Sequence, residues 1–407
     1  MIIYSPRIFQ AVLTGFAEYR FFKWNRKITA LFLLFNAFWQ YCSTRTLENT
    51  LEASLMTITL SIFPLKNKNE HGSKFLWLVG FMFFIKPTSA IICAPLCLYH
   101  ICYCGKTINQ LIRDYFFIFG IVSVIAIAID SYCYGQFVIT PWEFFKVNVL
   151  TGVANYYEAK SIIWYLRFTI LYFLLVKIIL VPIVINKLSS QPITSEKLLV
   201  SVFIIMWSIT IYSILPDKEH HYLLPLLPSL LIYVVMYFDY REYVSEIEEK
   251  FIAVIMIGVN IWIFYICASN LRGSAQIMSY LREEIANSPS DVDVMFLTPC
   301  YSTPFYSHVH QNISMDFLHC EPNLQNQDKY MNEADIFFKN PKAWLRKRYT
   351  NSTLPSLVVM YDNLAPHIKD FIDNYHLVVS VFDSPYPSIN AGNNFSLYKL
   401  KYKTSSI

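Results

Sequence analysis

The chain has 407 residues, of which 55% are hydrophobic, 17% aromatic and only 15% charged, with a mean hydropathy of +0.37. Apolar surface on this scale is more than so few polar residues can cover, so the composition predicts a polytopic α-helical membrane protein. The net charge of +4 is weak and dispersed, which argues against nucleic acid as a partner, and the basic residues are better interpreted as markers of membrane topology.

Apolar segments separated by short polar connections fill the first third of the chain. Residues 1–19 are apolar but lack the basic start and small-residue cleavage site of a signal peptide. Membrane spans are predicted from Ile28 to about Cys42, in the segment that ends near Pro64, across Phe75 to Cys104, and from Gln110 to Ile129. The third segment is too long for one crossing, and Lys86-Pro87 in its middle predicts two helices separated by a break.

The rest of the chain changes from membrane-like to soluble composition. A polar, aromatic-rich interlude from Asp130 to Ser161 is longer than a connector needs to be, which predicts a functional loop. Further spans are predicted over residues 164–185, 198–215, 221–238 and 251–269. Beyond Arg272, the segments DVDVMFL, SLVVMYD, HLVVSVF and FSLYKLK predict short strands. We therefore expect a multi-span transmembrane domain over residues 1–270 and a small α/β tail domain over residues 271–407.

A run of polar residues interrupts the apolar sequence between Leu215 and Pro228. Its members are Asp217, Lys218, Glu219, His220 and His221. Each ionised group would cost several kcal/mol in hydrocarbon, so the run predicts a membrane surface or a wet cavity and is a candidate site. By itself, a charged turn that only sets topology is an equally good interpretation.

Two independent patterns predict the orientation of the chain in the membrane. Asn-x-Ser/Thr triplets in the tail, which suit a lumenal domain, begin at Asn312, Asn351 and Asn394. With the tail in the lumen, the cytosolic loops are residues 20–27, 66–74, 105–109, 187–197 and 239–250, and these loops are rich in Lys and Arg. Because consecutive loops alternate between the two sides of the membrane, residues 45–52, Lys86 and the polar run are predicted to lie at the lumenal face.

Several stretches resemble a known family of enzymes. The tract PCYSTPFYSHVH at 299–310, followed by MDFLHCEP at 315–322, resembles the lumenal tail of the GPI mannosyltransferase III family, which adds the third mannose of glycosylphosphatidylinositol anchors in the endoplasmic reticulum. RTLENTLE at 45–52, KPT at 86–88 and DKEHHY at 217–222 are similar to the same family and to its wider dolichol-phosphate-mannose-dependent group. The resemblance covers essentially the whole chain.

The resemblance implies both an architecture and a reaction. It implies a polytopic GT-C fold of glycosyltransferase family 22, with a small C-terminal lumenal α/β domain, in the membrane of the endoplasmic reticulum. The implied reaction is the inverting transfer of an α-1,2-linked mannose from dolichol-phosphate mannose to a GPI-anchor intermediate, with membrane lipids as surroundings, no metal and no cofactor.

The sequence also departs from the pattern of this family. The family motif reads roughly His-Lys-Glu-x-Arg-Phe, so that Lys218 and Glu219 match it while Asp217 and His221 do not. Lys86 stands where the family usually has Arg, which keeps the charge but loses the planar fork for a phosphate. The family begins with a span and an acidic lumenal loop, so the resemblance puts the catalytic base in a loop upstream of Met1.

The implied chemistry assigns roles to the ionisable residues. A carboxylate must take the proton of the acceptor hydroxyl, and cations must lie beside the departing phosphate. The candidates for the cations are Arg45, Lys86 and Lys218, for each of which an interfacial anchor is the alternative. Residues that could orient the cations or bind substrate are Glu48, Asn49, Glu52, Asp217, Glu219, His220 and His221. For Glu48 and Glu52, an ion pair that only locks helices together is the alternative.

Histidines and cysteines of the tail superficially resemble metal ligands. These residues are His308, His310, His319 and Cys320, but no second pair has the spacing of a zinc site, so we expect no metal. Cys300 and Cys320 are instead candidates for a lumenal disulfide that closes the loop between them.

Two other classes of protein stay open at this point. A catalytically incomplete relic, or a subunit that binds lipid-linked sugars, is favoured by the missing first loop and by Asp217 and His221. A transporter would use the break at Lys86-Pro87 to line a path, but it should contain inverted repeats, and the sequence has none that we find. Within the enzymes, the alternative is a related lipid-linked mannosyltransferase that makes an α-1,2 or α-1,6 linkage.

Overall fold

The computed structural model of the protein divides into two compact units, Met1–Phe264 and Tyr265–Ile407. The division lies a few residues before the domain boundary expected from the sequence. The structure describes residues 4–24, 33, 36–43, 45–64, 72–103, 105–151, 196–215, 220–232, 273–288, 292–321, 331–350, 353–385, 387 and 390–401, together with single positions between 254 and 265.

The described part of the first unit is built from helices. The α-helices are α1 (Tyr4–Trp24), α2 (Ala37–Ser43), α3 (Glu48–Ile62), α4 (Phe75–Ile85), α5 (Ser89–Tyr103), α6 (Ile108–Tyr134), α7 (Thr140–Phe145) and α8 (Glu196–Ile214). A π-helical turn (Lys146–Leu150) follows α7, and a 3-10 helix (His220–Leu226) continues as an α-helix to Ile232. Among the described helices, α6 and α8 are long and apolar enough to cross a bilayer, while α4, α5 and His221–Ile232 are shorter apolar helices.

α6, the longest of the described helices, has clear sequence signals at both ends. A capping box of Thr107 and Gln110 begins it, and Gly135 ends it in the left-handed conformation with φ of 67°. The helix therefore continues beyond its predicted end at Ile129 and takes in Asp130. The Asp130 carboxylate accepts a hydrogen bond from Oγ1 of Thr140, which ties the start of α7 to the end of α6. The predicted polar interlude thus begins as helix.

The break predicted at Lys86-Pro87 is confirmed. Lys86 lies between α4 and α5 with extended backbone angles, φ −146° and ψ 103°. Proline sterically disfavours the helical region for the residue before it, which explains why α4 ends here. The backbone N–H of Lys86 still donates to the carbonyl of Met82 (2.8 Å), and its carbonyl accepts from the N–H of Ser89 (2.9 Å), so the break costs few backbone hydrogen bonds.

The second unit is an α/β domain with a mixed five-stranded sheet. Its helices are α9 (Gly273–Ala286), α10 (Tyr306–Val309), α11 (Glu333–Lys339), α12 (Pro341–Arg348), a 3-10 helix (Asp362–Ile368) and α13 (Lys369–Ile372). Its strands are β1 (Asp293–Leu297), β2 (Ser314–Phe317), β3 (Leu357–Tyr361), β4 (Tyr375–Phe382) and β5 (Asn394–Leu400). The four predicted strands are confirmed as β1, β3, β4 and β5, and the sequence analysis missed β2.

The strands are arranged in the order β2-β1-β3-β5-β4. β1 pairs in parallel with β2 and β3, whereas β5 pairs antiparallel with β3 and β4. β3 is apolar and buried throughout, and β1 is so after Asp293, because both faces of the sheet are covered here. Val294 and Phe296 pack with α9 on one face, whereas Met295 and Leu297 pack with α11 and α12 on the other.

A buried carboxylate joins α9 to the sheet. Asp383, which is 2% exposed, accepts hydrogen bonds from the backbone N–H of Ser274 (3.3 Å) and from the hydroxyl of Tyr361 (3.1 Å). Burial, followed by the neighbouring Asp383 carboxylate, raises the pKa of Tyr361 well above its usual value, so the phenol stays a donor. The approach is close, since a Cβ at Gly273 would lie 2.8 Å from Cβ and 2.9 Å from Cα of Asp383.

We expect Gly273→Ala to destabilise the tail domain by ~1–3 kcal/mol, because backbone has to move to admit the new methyl group. Proteolysis of the full-length protein over a temperature series measures the effect. Gly120→Ala is the matched control, because a Cβ there meets nothing within 4 Å. Equal resistance of the Gly273→Ala variant and the parent protein would contradict this packing.

Candidate active site

A buried ion pair forms the centre of the candidate site. Nζ of Lys86 lies 3.4 Å from Oε2 of Glu52, and the two residues are 8% and 3% exposed. Glu52 is on α3, and Lys86 stands at the break between α4 and α5. The pair links two of the three stretches that carry the family resemblance in the helical unit, although 33 residues separate its members in the sequence.

The third stretch reaches the pair through an aromatic ring. Nζ of Lys86 lies 4.7 Å from the centre of the Tyr222 ring, which is the geometry of a cation–π contact. Tyr222 stacks in turn on Tyr212 of α8, with ring centres 5.9 Å apart. The 3-10 helix that carries Tyr222 packs against α3. The Glu52 carboxylate and the face of the Tyr222 ring therefore both contact the Lys86 ammonium group.

The start of α3 is unusually polar for a helix that lies in an apolar core. Glu48 is in the first turn, where a carboxylate is favoured by the helix dipole, and it is exposed. Asn49 and Glu52 are three residues apart, so they share a face of the helix, and both are buried. This start of α3 therefore brings one exposed and one buried carboxylate, together with an amide, towards a single region.

Several buried polar atoms near the pair are unsatisfied. Among the described residues, Oε1 of Glu52, Oδ1 of Asn49 and Oγ of Ser89 have no hydrogen-bond partner. Ser89 begins α5, three residues after Lys86. Unsatisfied buried polar groups are uncommon and call for a ligand, a water or a catalytic role. All three atoms can accept a hydrogen bond from a hydroxyl group.

A polar seam between α1 and α3 fixes the position of α3. The side-chain amide of Gln10 donates to the hydroxyls of Thr14 (3.0 Å) and Ser54 (3.3 Å), and Thr14 and Ser54 share a hydrogen bond of 3.0 Å. The Thr14 hydroxyl also bonds to the carbonyl of Ser43 (3.3 Å). Small polar residues allow helices to approach closely in an apolar medium. Ser54, the member of the seam on α3, lies two residues after Glu52.

The other candidates in the helical unit are not all brought to the pair. Arg45 is exposed, and its guanidinium carbon lies 4.0 Å from the centre of the Tyr41 ring; none of its described contacts reaches Lys86 or Glu52. Asp217, Lys218, Glu219 and the side chain of His220 lie outside the described residues. His221 is half-buried in the 3-10 helix, one residue before Tyr222.

In the tail, the structure joins Cys300 to Cys320 by a disulfide with a Cα–Cα distance of 6.2 Å. The disulfide connects the segment after β1 to the segment after β2. The predicted glycosylation sites differ from one another, since Asn312 is exposed whereas the amide nitrogen of Asn394 donates to Oδ2 of Asp362 at 2.7 Å. Asn351 lies outside the described residues.

Sequence reasoning did not single out three residues that shape the site. Tyr222 ends the DKEHHY stretch, and an aromatic residue beside a run of charges was the available signal. Ser89 follows the Lys86-Pro87 break in an otherwise apolar segment, which is a weaker signal. Nothing in the sequence marks Tyr212, which lies in the apolar helix α8.

Comparison with known sequences identifies relatives along almost the whole chain. Residues 1–310 match the model of the Alg9-like mannosyltransferase family. The chain is 35% identical to GPI mannosyltransferase 3 of Drosophila melanogaster, over 93% of this chain and 69% of that protein. It is 32% identical to GPI alpha-1,2-mannosyltransferase 3 of Xenopus laevis, over 99% and 76%, and 28% identical to the Homo sapiens protein of the same name, over 99% and 74%.

Comparison with solved structures identifies chains whose fold is similar to that of this chain. The crystal structure of ArnT from Cupriavidus metallidurans bound to undecaprenyl phosphate has a TM-score of 0.58 to this chain and covers 98% of this chain and 84% of ArnT. The apo structure of ArnT has a TM-score of 0.56. At 11% identity, the likeness concerns the fold alone.

We expect Glu52→Leu to lower the free energy of unfolding by ~3–5 kcal/mol, because it leaves the Lys86 ammonium buried without its carboxylate. The double variant Glu52→Leu/Lys86→Met should regain most of this stability, since it removes both charges. Denaturant titration of the protein in detergent measures both effects. Glu143→Gln, which breaks an exposed pair with Lys146, is the control and should cost less than ~1 kcal/mol. Additive losses in the double variant would contradict the pairing.

Proposed function

Because the chain belongs to the Alg9-like mannosyltransferase family, we propose that it transfers mannose from dolichol-phosphate mannose to a GPI-anchor precursor, adding the third mannose in α-1,2 linkage. The observation that carries this proposal is the similarity, along nearly the whole chain, to proteins named GPI alpha-1,2-mannosyltransferase 3. The Glu52–Lys86 site supplies the chemistry.

The reaction displaces a lipid phosphate from the anomeric carbon of mannose. Negative charge grows on the phosphate as its bond to the sugar breaks, and a fixed cation in a water-poor site stabilises that charge strongly. Lys86 is such a cation, because the contacts with Glu52 (3.4 Å) and the Tyr222 ring (4.7 Å) fix its ammonium group before substrate arrives. In this proposal, Lys86 binds the departing phosphate and no metal ion takes part.

The acceptor hydroxyl needs a base and partners that orient it. Glu52 is engaged with Lys86, so its role is to hold the ammonium group, and we assign the general base to another carboxylate. The unsatisfied oxygens of Glu52, Asn49 and Ser89 accept hydrogen bonds from sugar hydroxyls. Lys218 and Glu219, which match the family motif, contribute to substrate binding in this proposal, and Asp217, His220, His221 and Arg45 are further candidates for it.

The proposed compartment is the membrane of the endoplasmic reticulum, with the tail domain in its lumen. The disulfide between Cys300 and Cys320 supports this orientation, because disulfides persist in oxidising compartments. The basic loops predicted on the opposite side support it as well. The partners in this proposal are the two lipid-linked sugars, the donor and the acceptor, within the bilayer.

We expect Lys86→Met to lower the rate of mannose transfer by ~10²–10³, the effect of removing one fixed group that stabilises a developing anion. Lys86→Arg keeps the charge and should retain more activity than Lys86→Met. Transfer of radiolabelled mannose to the GPI intermediate in microsomes from cells that lack their own enzyme is the assay.

The double variant Glu52→Leu/Lys86→Met separates catalysis from stability. It should fold almost as well as the parent protein and still fail to transfer mannose. If the double variant transfers mannose at the parental rate, the pair only locks the helices together. If the parent protein itself transfers no mannose, the lipid-linked-sugar-binding alternative is favoured.

Glycosylation tests the orientation of the tail. We expect endoglycosidase treatment to shift the mobility of the protein and Asn312→Gln to reduce that shift, because Asn312 is exposed. Asn394→Gln should leave the shift unchanged, because its amide nitrogen is bonded to Asp362 in the folded domain. A tail without glycans that protease removes from the cytosolic side of intact microsomes would contradict the lumenal orientation.

A further inference from the structure

The tail domain contains a cavity that takes no part in the proposed transfer reaction. Its volume is about 470 Å³, which is within the range of small-molecule sites. One wall comes from α12 and the two residues after it, and the other comes from the end of the preceding 3-10 helix, α13 and Asn374. Leu345 and Ile368 line the cavity and are buried in one apolar cluster, which fixes the two walls relative to each other.

An aromatic surface lines one part of the cavity. The rings of Tyr349 and Phe371 both line it, with centres 5.7 Å apart and planes inclined by 32°. Phe371 also packs on Tyr375 at 5.2 Å, and the Tyr375 hydroxyl donates to the carbonyl of Pro355 at 2.9 Å. The surface is therefore anchored in the sheet through a buried residue, so it is rigid before any ligand binds.

Charged groups converge at the rim of the same cavity. Oδ2 of Asp370 lies 3.7 Å from Nζ of Lys342 and 4.0 Å from Nη2 of Arg346. All three side chains are more than half exposed, so these contacts are weak and a ligand can replace them at little cost. A carboxylate accepts hydrogen bonds from a pair of hydroxyls, and a guanidinium donates to another pair.

We propose that this cavity binds a hexopyranose residue of a mannose-containing glycan. The apolar face of a pyranose ring covers Tyr349 and Phe371, while its equatorial hydroxyls bond to Asp370, Arg346 and Lys342. A fatty acyl chain would make no use of the three rim charges, and a bare anion would leave the aromatic surface unused. The choice of mannose among hexoses rests on the proposed function, and the pyranose class rests on the cavity itself.

The test uses the full-length protein in lipid nanodiscs and a diazirine derivative of α-1,6-mannobiose as photoprobe. We expect the probe to label residues between Lys342 and Asn374, as mapped by mass spectrometry, and unlabelled mannobiose to compete. Asp370→Asn and Phe371→Leu should each reduce this labelling tenfold or more. The matched controls Asp373→Asn and Phe382→Leu remove the same groups outside the cavity and should change it less than twofold.

Labelling that avoids this segment, or that is unchanged in both Asp370→Asn and Phe371→Leu, would overturn the proposal. Asp370 is exposed, so its variant decides the question even where Phe371→Leu impairs folding. The readout is independent of catalysis, since Lys86→Met should lower the rate of transfer strongly and keep the tail labelling. Absence of tail labelling in a parent protein that transfers mannose refutes the cavity alone, whereas tail labelling in a parent protein that transfers no mannose refutes the proposed function alone.

Discussion

The helical unit depends on the requirement that a charge removed from water must have a partner. Lys86 and Glu52 are both buried, and either one alone would be strongly destabilising. Their contact sets the position of α3 relative to the break between α4 and α5. The Tyr222 ring completes the surroundings of the ammonium group and brings the 3-10 helix to the same place. Three distant stretches of chain are thus joined by a single ammonium group.

A pair of this kind contributes more to specificity than to stability. An apolar pair of similar volume would give nearly the same stability, because neither partner would lose hydration on burial. A fixed cation in an apolar setting is, however, what a departing phosphate requires. The unsatisfied oxygens of Glu52, Asn49 and Ser89 also indicate that stability is not the only constraint on this region, because a region shaped for stability alone would have paired them.

The tail domain satisfies the same requirement in a different way. Asp383 is buried between α9 and the sheet, and its partners are a backbone N–H and the Tyr361 hydroxyl. Neutral donors suffice here because they belong to a rigid sheet and to the first turn of a helix. The result is a structural lock with no unsatisfied atom of Asp383 among the described residues. If the proposed function holds, the contrast with Glu52 is one between a carboxylate that serves the fold and one that serves a site.

The sequence by itself determined the class of the protein, the break at Lys86-Pro87 and four of the five strands of the tail. These features are local: hydropathy, the backbone restriction before proline and runs of apolar β-branched residues act over a few positions. β2 was missed because it has only four residues, too few for a clear strand signal, and borders a loop. Only the tertiary structure decided that Lys86 pairs with Glu52, that Tyr222 covers it, and that Arg45 lies over Tyr41 instead. Such contacts depend on how helices pack against one another, and spacing along the chain does not fix that packing.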